Sequence, residues 1–290
     1  MYVLFTDTDT DITPEVAAEY GYNLISMPYT VGDKEIYPYK DKDYKFDSHA
    51  FYQSLRDGVM PKTGGLSPAT YKDYFEPFFK AGRDILYVHF SAAMSGTFDA
   101  MKLALKELKE TYPERRFYEV DTKGITIGSY NIVREIGELY VKGKSAEEIV
   151  RWAETEVDKF AVYFFADDLK FFARSGRVKG FKAFMGNILG VRPIIYMGSD
   201  GVMKSIDSVR GRNAAITRLV AYAERLQDDI KGHRVVIGHS DAPETAELLG
   251  KRLKTEFGDD LNIEYVVVNP TAGSHCGPDG VGISFHAVHR

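Results

Sequence analysis

The alternation of apolar and polar stretches along the chain divides it into elements. Tyr2 to Asp7 is a short apolar run that turns polar at its end, the pattern of a buried strand. Thr13-Pro14-Glu15 marks a helix start: a capping hydroxyl, a proline in the first turn and an early acid. A second apolar run, Leu24 to Val31, closes on the turn signal Gly32-Asp33 and leads to Glu35-Ile36-Tyr37. Ser67-Pro68 opens a helix predicted to reach about Lys80. Asp84 to Phe90 reads as a strand with too few polar breaks to be half-exposed. A helix from about Thr97 to Glu110 and a strand near Phe117 to Val120 follow. Strands separated by helices of this length predict βαβ units and a mainly parallel sheet.

Helices are predicted next over roughly 125–141 and 146–159, the second opened by Ser145 and Glu148 at capping-box spacing. The character then changes. Val162 to Phe165 and Arg192 to Met197 read as strands, and Gly198 to Gly201 (GSDG) as a hairpin turn into Val202 to Val209. Helix 212–230, strand Val235 to Gly238, helix 243–257 and strand Ile263 to Val268 complete the pattern. Hairpins mixed with helices predict a second, α+β layer. The expected division is therefore 1–160 and 161–290, with no internal repeat and no low-complexity linker.

Composition narrows the function classes. With 37 Lys and Arg against 42 Asp and Glu, the net charge is −5, so no basic excess exists to neutralise a nucleic-acid backbone. The single cysteine, Cys276, excludes an intrachain disulfide framework and a multi-cysteine zinc site, in keeping with a reducing cytoplasm. The opening MYVLFTDTDTD lacks the basic and long apolar regions of a signal peptide. No apolar stretch approaches the roughly 18 residues of a membrane helix. The expectation is a cytoplasmic protein without a membrane span. The 19 Tyr and 18 Phe fill either a core or an aromatic-lined tunnel.

Five clusters could carry chemistry. Thr6-Asp7-Thr8-Asp9-Thr10-Asp11 follows the first strand. Asp7 and Asp9, two apart, could serve a magnesium-dependent phosphatase as nucleophile and general acid, or the same side chains could cap the next turn and helix. Asp11 stands where such a phosphatase usually has Thr or Val. In Phe90-Ser91-Ala92-Ala93-Met94-Ser95-Gly96-Thr97, a strand gives way to a helix N-terminus that favours an anion; Ser95 and Thr97 could donate to a carboxylate, and Ser95 could equally cap. Lys62-Thr63-Gly64-Gly65 offers a hydroxyl beside glycines that permit close backbone approach, or is an ordinary loop. Arg174 and Arg177, upstream of an apolar run that begins Gly186-Asn187-Ile188-Leu189, could bind phosphate or an acidic partner, or lie solvated. His275 and Cys276, in the glycine-rich stretch 273–280, could exchange a proton or attack a carbonyl, or be simply exposed. Neither a G-x-S-x-G elbow, a P-loop nor a G-x-G-x-x-G sequence is present.

Taken in order, these segments resemble the DegV family of bacterial fatty-acid-binding proteins. The likeness runs from Thr6-Asp7 through Lys62-Thr63, Met94 to Thr97, Val120-Asp121, Asp168-Leu169 and Gly176-Arg177-Val178. It continues through Val191 to Ile194, Asp200-Gly201 and Val209-Arg210 to Gly273-x-His275-x-Gly277-Pro278. The resemblance implies an α/β, DAK1/DegV-like fold in two domains: a three-layer α/β/α with a parallel sheet, then a two-layer α/β with a mixed sheet that takes up the acyl chain. It implies a carrier without catalytic residues, metal or cofactor. That carrier would present the carboxyl of a long-chain fatty acid to an ATP-dependent fatty acid kinase subunit for acyl-phosphate formation, feeding phospholipid synthesis. Carried over, the carboxyl contacts are Thr63, Ser95 and His275, and Arg177 is a partner or phosphate contact. Capture of a small carbonyl such as dihydroxyacetone by His275 is a further alternative, on fold analogy alone. This chain departs from the family at Thr63-Gly64-Gly65-Leu66-Ser67, which removes one hydroxyl and a rigid proline. It departs again at Ser91-Ala92-Ala93, and at Tyr130, where glycine is common.

Overall fold

A computed structural model describes residues 2–41, 43–179 and 190–290. The stretch Gly186-Asn187-Ile188-Leu189 named above lies outside them. Strand β1 (Tyr2–Asp7) runs into a single 3₁₀ turn, Thr8–Thr10, and then helix α1 (Pro14–Tyr20), capped by Thr13 as its sequence predicts. Next come β2 (Tyr22–Ile25), β3 (Tyr29–Val31), β4 (Lys34–Ile36), α2 (Ser48–Arg56) and β5 (Lys62–Thr63). The predicted run Leu24 to Val31 is thus two strands. It breaks at Ser26–Pro28, where the Ser26 hydroxyl donates to the Pro38 carbonyl and the Met27 N–H donates to the Thr8 hydroxyl. Helix α3 (Pro68–Lys80), β6 (Asp84–His89), α4 (Thr97–Thr111), β7 (Phe117–Asp121), α5 (Ile127–Val141) and α6 (Ala146–Glu156) follow close to expectation. The capping box at Ser145 and Glu148 is present.

Four parallel strands, in the order β2-β1-β6-β7, form the first sheet. Helices α3 and α4 bury Tyr71, Phe75, Phe98 and Met101 in the core of this part, each on a repeat of three or four residues. The small antiparallel sheet β4-β3-β5 sets Thr63 opposite Tyr29.

The chain changes sheets at β8 (Phe160–Phe165). After it come α7 (Leu169–Ser175), β9 (Val178–Lys179), β10 (Val191–Met197), β11 (Met203–Arg210), α8 (Arg212–Leu226), β12 (Val235–His239), α9 (Pro243–Phe257), β13 (Ile263–Val267), α10 (Pro270–Cys276) and β14 (Val281–His286). The seven-stranded mixed sheet has the order β13-β12-β14-β8-β10-β11-β9. Helices α8 and α9 cover one face through Ile216, Leu219, Leu249 and Leu253. Helix α5 lies against the other face and also touches α1, so it is shared by both parts of the molecule. Gly238 on β12 makes that contact possible: a Cβ there would sit 2.4 Å from Ile127 Cγ2. Tyr130 is accommodated within α5, buried, with its hydroxyl donating to Glu264.

The architecture is thus α/β, with a parallel sheet followed by a mixed one. No helix among the described residues is long and apolar enough to cross a membrane.

Candidate ligand-binding site

A cavity of about 430 Å³ lies where the two sheets and α5 meet. Its size falls within the usual range for small-molecule sites, about 300–1,000 Å³. Its wall is mainly apolar. Phe90 and Met94 come from the parallel part, Ile127 from α5, and Val162, Phe164 and Met197 from the mixed sheet. Thr63, Ser95, Arg177 and His275, all singled out from sequence, border this same cavity.

Each is brought there differently. Thr63 sits at the end of β5, and its Oγ1 is 2.7 Å from His275 Nε2. His275 is not in an open loop as its glycine-rich surroundings suggest; it occupies the last turn of α10. That helix begins at Asn269, whose side chain accepts the Ala272 N–H, and Asn269 is itself gripped by Asp11 through two hydrogen bonds of 2.9 and 2.7 Å. After it, Gly277 turns the chain at φ 74°, and a Cβ there would sit 2.3 Å from Phe171 Cδ2. The N-cap of α4 is Gly96 rather than Ser95; Ser95, one residue earlier, accepts the Thr97 N–H through its Oγ at 3.2 Å, and its hydroxyl proton remains to donate.

The Gly64-Gly65-Leu66 segment is pinned despite the lost proline. The Leu66 N–H donates to Thr97 Oγ1 at 2.9 Å, and Leu66 is buried. Arg174, which its sequence context allows either to bind an anion or to lie solvated, has a positioning role in the structure. Its Nη2 donates to the carbonyls of Pro61 (2.6 Å) and Ser274 (3.1 Å), which immediately precede Lys62-Thr63 and His275. One guanidinium therefore ties together the two segments that supply the Thr63–His275 pair.

Burial and the nearby Arg177 and Arg174 charges push His275 down to about 3, so its ring is neutral at physiological pH. Nitrogen-detected NMR of the ring is expected to keep the neutral pattern from pH 8 to pH 5. A titration midpoint near 6.5 would contradict this assignment of its environment.

The acidic cluster behaves differently from a phosphatase centre. Asp7 is fully buried and faces the scaffold: Oδ2 accepts from the Tyr87 hydroxyl and the Phe90 N–H, and Oδ1 from the Asp9 N–H. It does not border the cavity. The nucleophile-and-acid reading of Asp7 and Asp9 is therefore corrected, because Asp7 has both oxygens committed and no reachable substrate. Among the described residues there is no group of three or more His, Cys, Asp or Glu arranged to hold a metal ion. The residues that sequence reasoning missed at the cavity are mainly the apolar ones of the mixed sheet, because their strands look like any other core strand.

A sequence profile described as an uncharacterised protein family, DegV, matches residues 1–288. The chain belongs to the DegV family. A DegV domain-containing protein of Clostridium perfringens is 29% identical over 286 residues, covering 98% of this chain and 97% of that protein. Two solved structures are similar throughout. A fatty-acid-binding DegV family protein of Thermus thermophilus superposes with a TM-score of 0.84 at 20% identity, covering 99% of both chains. A stearic acid-binding protein of Eubacterium ventriosum superposes at 0.86 with 18% identity, covering 99% of this chain and 98% of that one. The two-part DegV fold is thus the fold of this chain.

Proposed function

We propose that this DegV-family chain binds one long-chain fatty acid, tail in the apolar cavity and carboxylate against Thr63, Ser95 and His275. The carrying observation is the Thr63–His275 pair on the wall of a mainly apolar cavity that Ser95 and Arg177 also border. Fatty-acid binding by the Thermus and Eubacterium proteins of the same fold supports it.

The energetics divide between tail and head. Each methylene removed from water contributes about 0.8 kcal/mol, so about 15 of them offer on the order of 12 kcal/mol before ordering costs. The carboxylate sets the harder condition, since an anion left unpaired in such a cavity would neutralise or stay out. Two hydroxyls meet it by donating hydrogen bonds. With the ring neutral, His275 Nε2–H donating to Thr63 Oγ1 leaves the Thr63 proton to point at the ligand.

These groups hold a headgroup and do not activate it. In this reading the chain is a cytoplasmic carrier that presents the carboxylate to an ATP-dependent kinase subunit. That subunit makes the acyl phosphate for phospholipid synthesis, and Arg177 beside the headgroup serves the partner or the incoming phosphate. The chain needs no metal or cofactor for this task.

The test is to denature protein purified from cells, extract it and analyse the extract by mass spectrometry, then titrate fatty acid into delipidated protein. A stoichiometric fatty acid and saturable rebinding are expected. Absence of both would overturn the reading.

A further inference from the structure

Asp9 is the one acidic side chain among the described residues that borders the cavity. Its main chain is fixed on both sides: its N–H donates to Asp7 Oδ1 at 3.0 Å, and its carbonyl accepts the Thr126 N–H at 2.8 Å. Its neighbours face elsewhere, Asp7 towards Tyr87 and Phe90, Asp11 towards Asn269. Asp9 itself is 6% exposed, and its Oδ1 has no hydrogen-bond partner among the described residues. Arg177 is the cation whose charge reaches it, and that guanidinium donates through Nη1 to the Ser175 carbonyl.

A carboxyl group so placed has to resolve its own charge. Burial, and then the flanking Asp7 and Asp11 charges, hold its proton on well above the ordinary carboxylate range. A neutral carboxyl has one O–H to donate, and the surrounding wall is chiefly aliphatic and aromatic. An alkyl chain cannot accept that bond. A bound carboxylate can, and two carboxyl groups sharing one proton form a strong, charge-assisted hydrogen bond.

We infer that Asp9 is a fourth polar group of the headgroup site, donating a carboxyl O–H to the carboxylate of the bound acid and so selecting an acid over an uncharged ester or alcohol. The inference rests on the fatty-acid reading above and adds to it a residue that distinguishes headgroups. The proton stays on Asp9, and no covalent bond changes.

Dissociation constants of hexadecanoic acid and methyl hexadecanoate, measured on delipidated wild type, Asp9→Ala and Asp9→Asn, test it. Asp9→Ala is expected to weaken the acid about tenfold, the equivalent of about 1.4 kcal/mol, and to leave the ester within about twofold. Asp9→Asn keeps an N–H donor and recovers most of the loss. Tighter acid binding by Asp9→Ala would overturn the inference, since it would mean an ionised, repelling Asp9, and unchanged binding would overturn it by showing that Asp9 makes no contact with the headgroup. An equal loss for acid and ester would overturn it too, since Asp9 would then only support the wall.

Infrared difference spectra of the wild type supply a reading that does not depend on the alanine variant folding. Of the neutral carboxylic C=O absorption, to which buried Asp11 also contributes, the component lost in Asp9→Asn is expected to shift when the acid binds and not when the ester binds. No such band, or no shift, counts against the proposal. Wild type that binds neither compound defeats the fatty-acid reading itself, whereas wild type that binds the acid without an Asp9 effect defeats only this addition.

Discussion

Thr63→Val is expected to weaken binding of a long-chain fatty acid about thirtyfold. The substitution keeps the branched shape and removes only the hydroxyl. It thereby deletes a donor to an ionised group, worth about 1.5–3 kcal/mol, and strips His275 Nε2 of its 2.7 Å partner. About 2 kcal/mol of this is thirtyfold in affinity. The apolar wall is untouched, so the methyl ester of the same acid should bind as it does to the wild type. Calorimetric titration with both compounds checks the result. Unchanged affinity for the acid would remove Thr63 from the headgroup site, whereas an equal loss for acid and ester would indicate a disturbed wall.

The second large effect concerns stability. The Arg290 side chain is 2% exposed, and its guanidinium donates to three backbone carbonyls: Lys123 at 2.5 Å, Thr122 at 2.6 Å and Val157 at 2.9 Å. These carbonyls belong to the loop after β7 and to the turn before β8, so one side chain joins the end of the parallel sheet to the start of the mixed one. Arg290→Ala leaves three acceptors without their donor. At about 1–3 kcal/mol for each buried unsatisfied group, partly relieved by water, a loss of about 3–5 kcal/mol is expected. Its ion pair with Asp158, 3.7 Å away on a half-exposed side chain, is worth at most about 1 kcal/mol, so Asp158→Ala should cost far less. Urea denaturation of the two variants separates the contributions. Equal losses would mean that the ion pair, rather than the carbonyl clamp, is what matters. The same loop carries Ile125 and Thr126 to the cavity, so Arg290→Ala should also loosen fatty-acid binding.

What could be read from sequence was mostly what is encoded locally. Thr13-Pro14, Ser67-Pro68 and the Ser145–Glu148 box carry their own helix starts, whereas α4 and α9, which have no side-chain cap, lie where their apolar spacing puts them. Elements set by tertiary contact were not legible. Strand β5 is two residues long and exists because β3 pairs with it. Helix α2 has a cap at Asp47 and apolar positions at Phe51, Tyr52 and Leu55, a usable signal that the charged surroundings obscured. Strand β14 is buried at every position, so it lacks the alternation of a half-exposed strand, and its glycine at 282 looks like part of a loop.

The site divides in the same way. Thr63, Ser95, Arg177 and His275 could be named from sequence, in part through the family resemblance. That they border one cavity depends on β5, α7 and α10, none of which was foreseen. Three aspartates at alternate positions look equivalent in the sequence. The 3₁₀ turn Thr8–Thr10 gives them different surroundings and leaves only Asp9 at the cavity.

The position of β14 in its sheet has a consequence for synthesis. It lies between β8 and β12, yet it is the last of the seven strands to leave the ribosome. Until residues 281–286 emerge, the nascent polypeptide carries two half-sheets with facing unsatisfied edges. Their closure is therefore a late, concerted event, and a prematurely terminated product would be a natural client for chaperones.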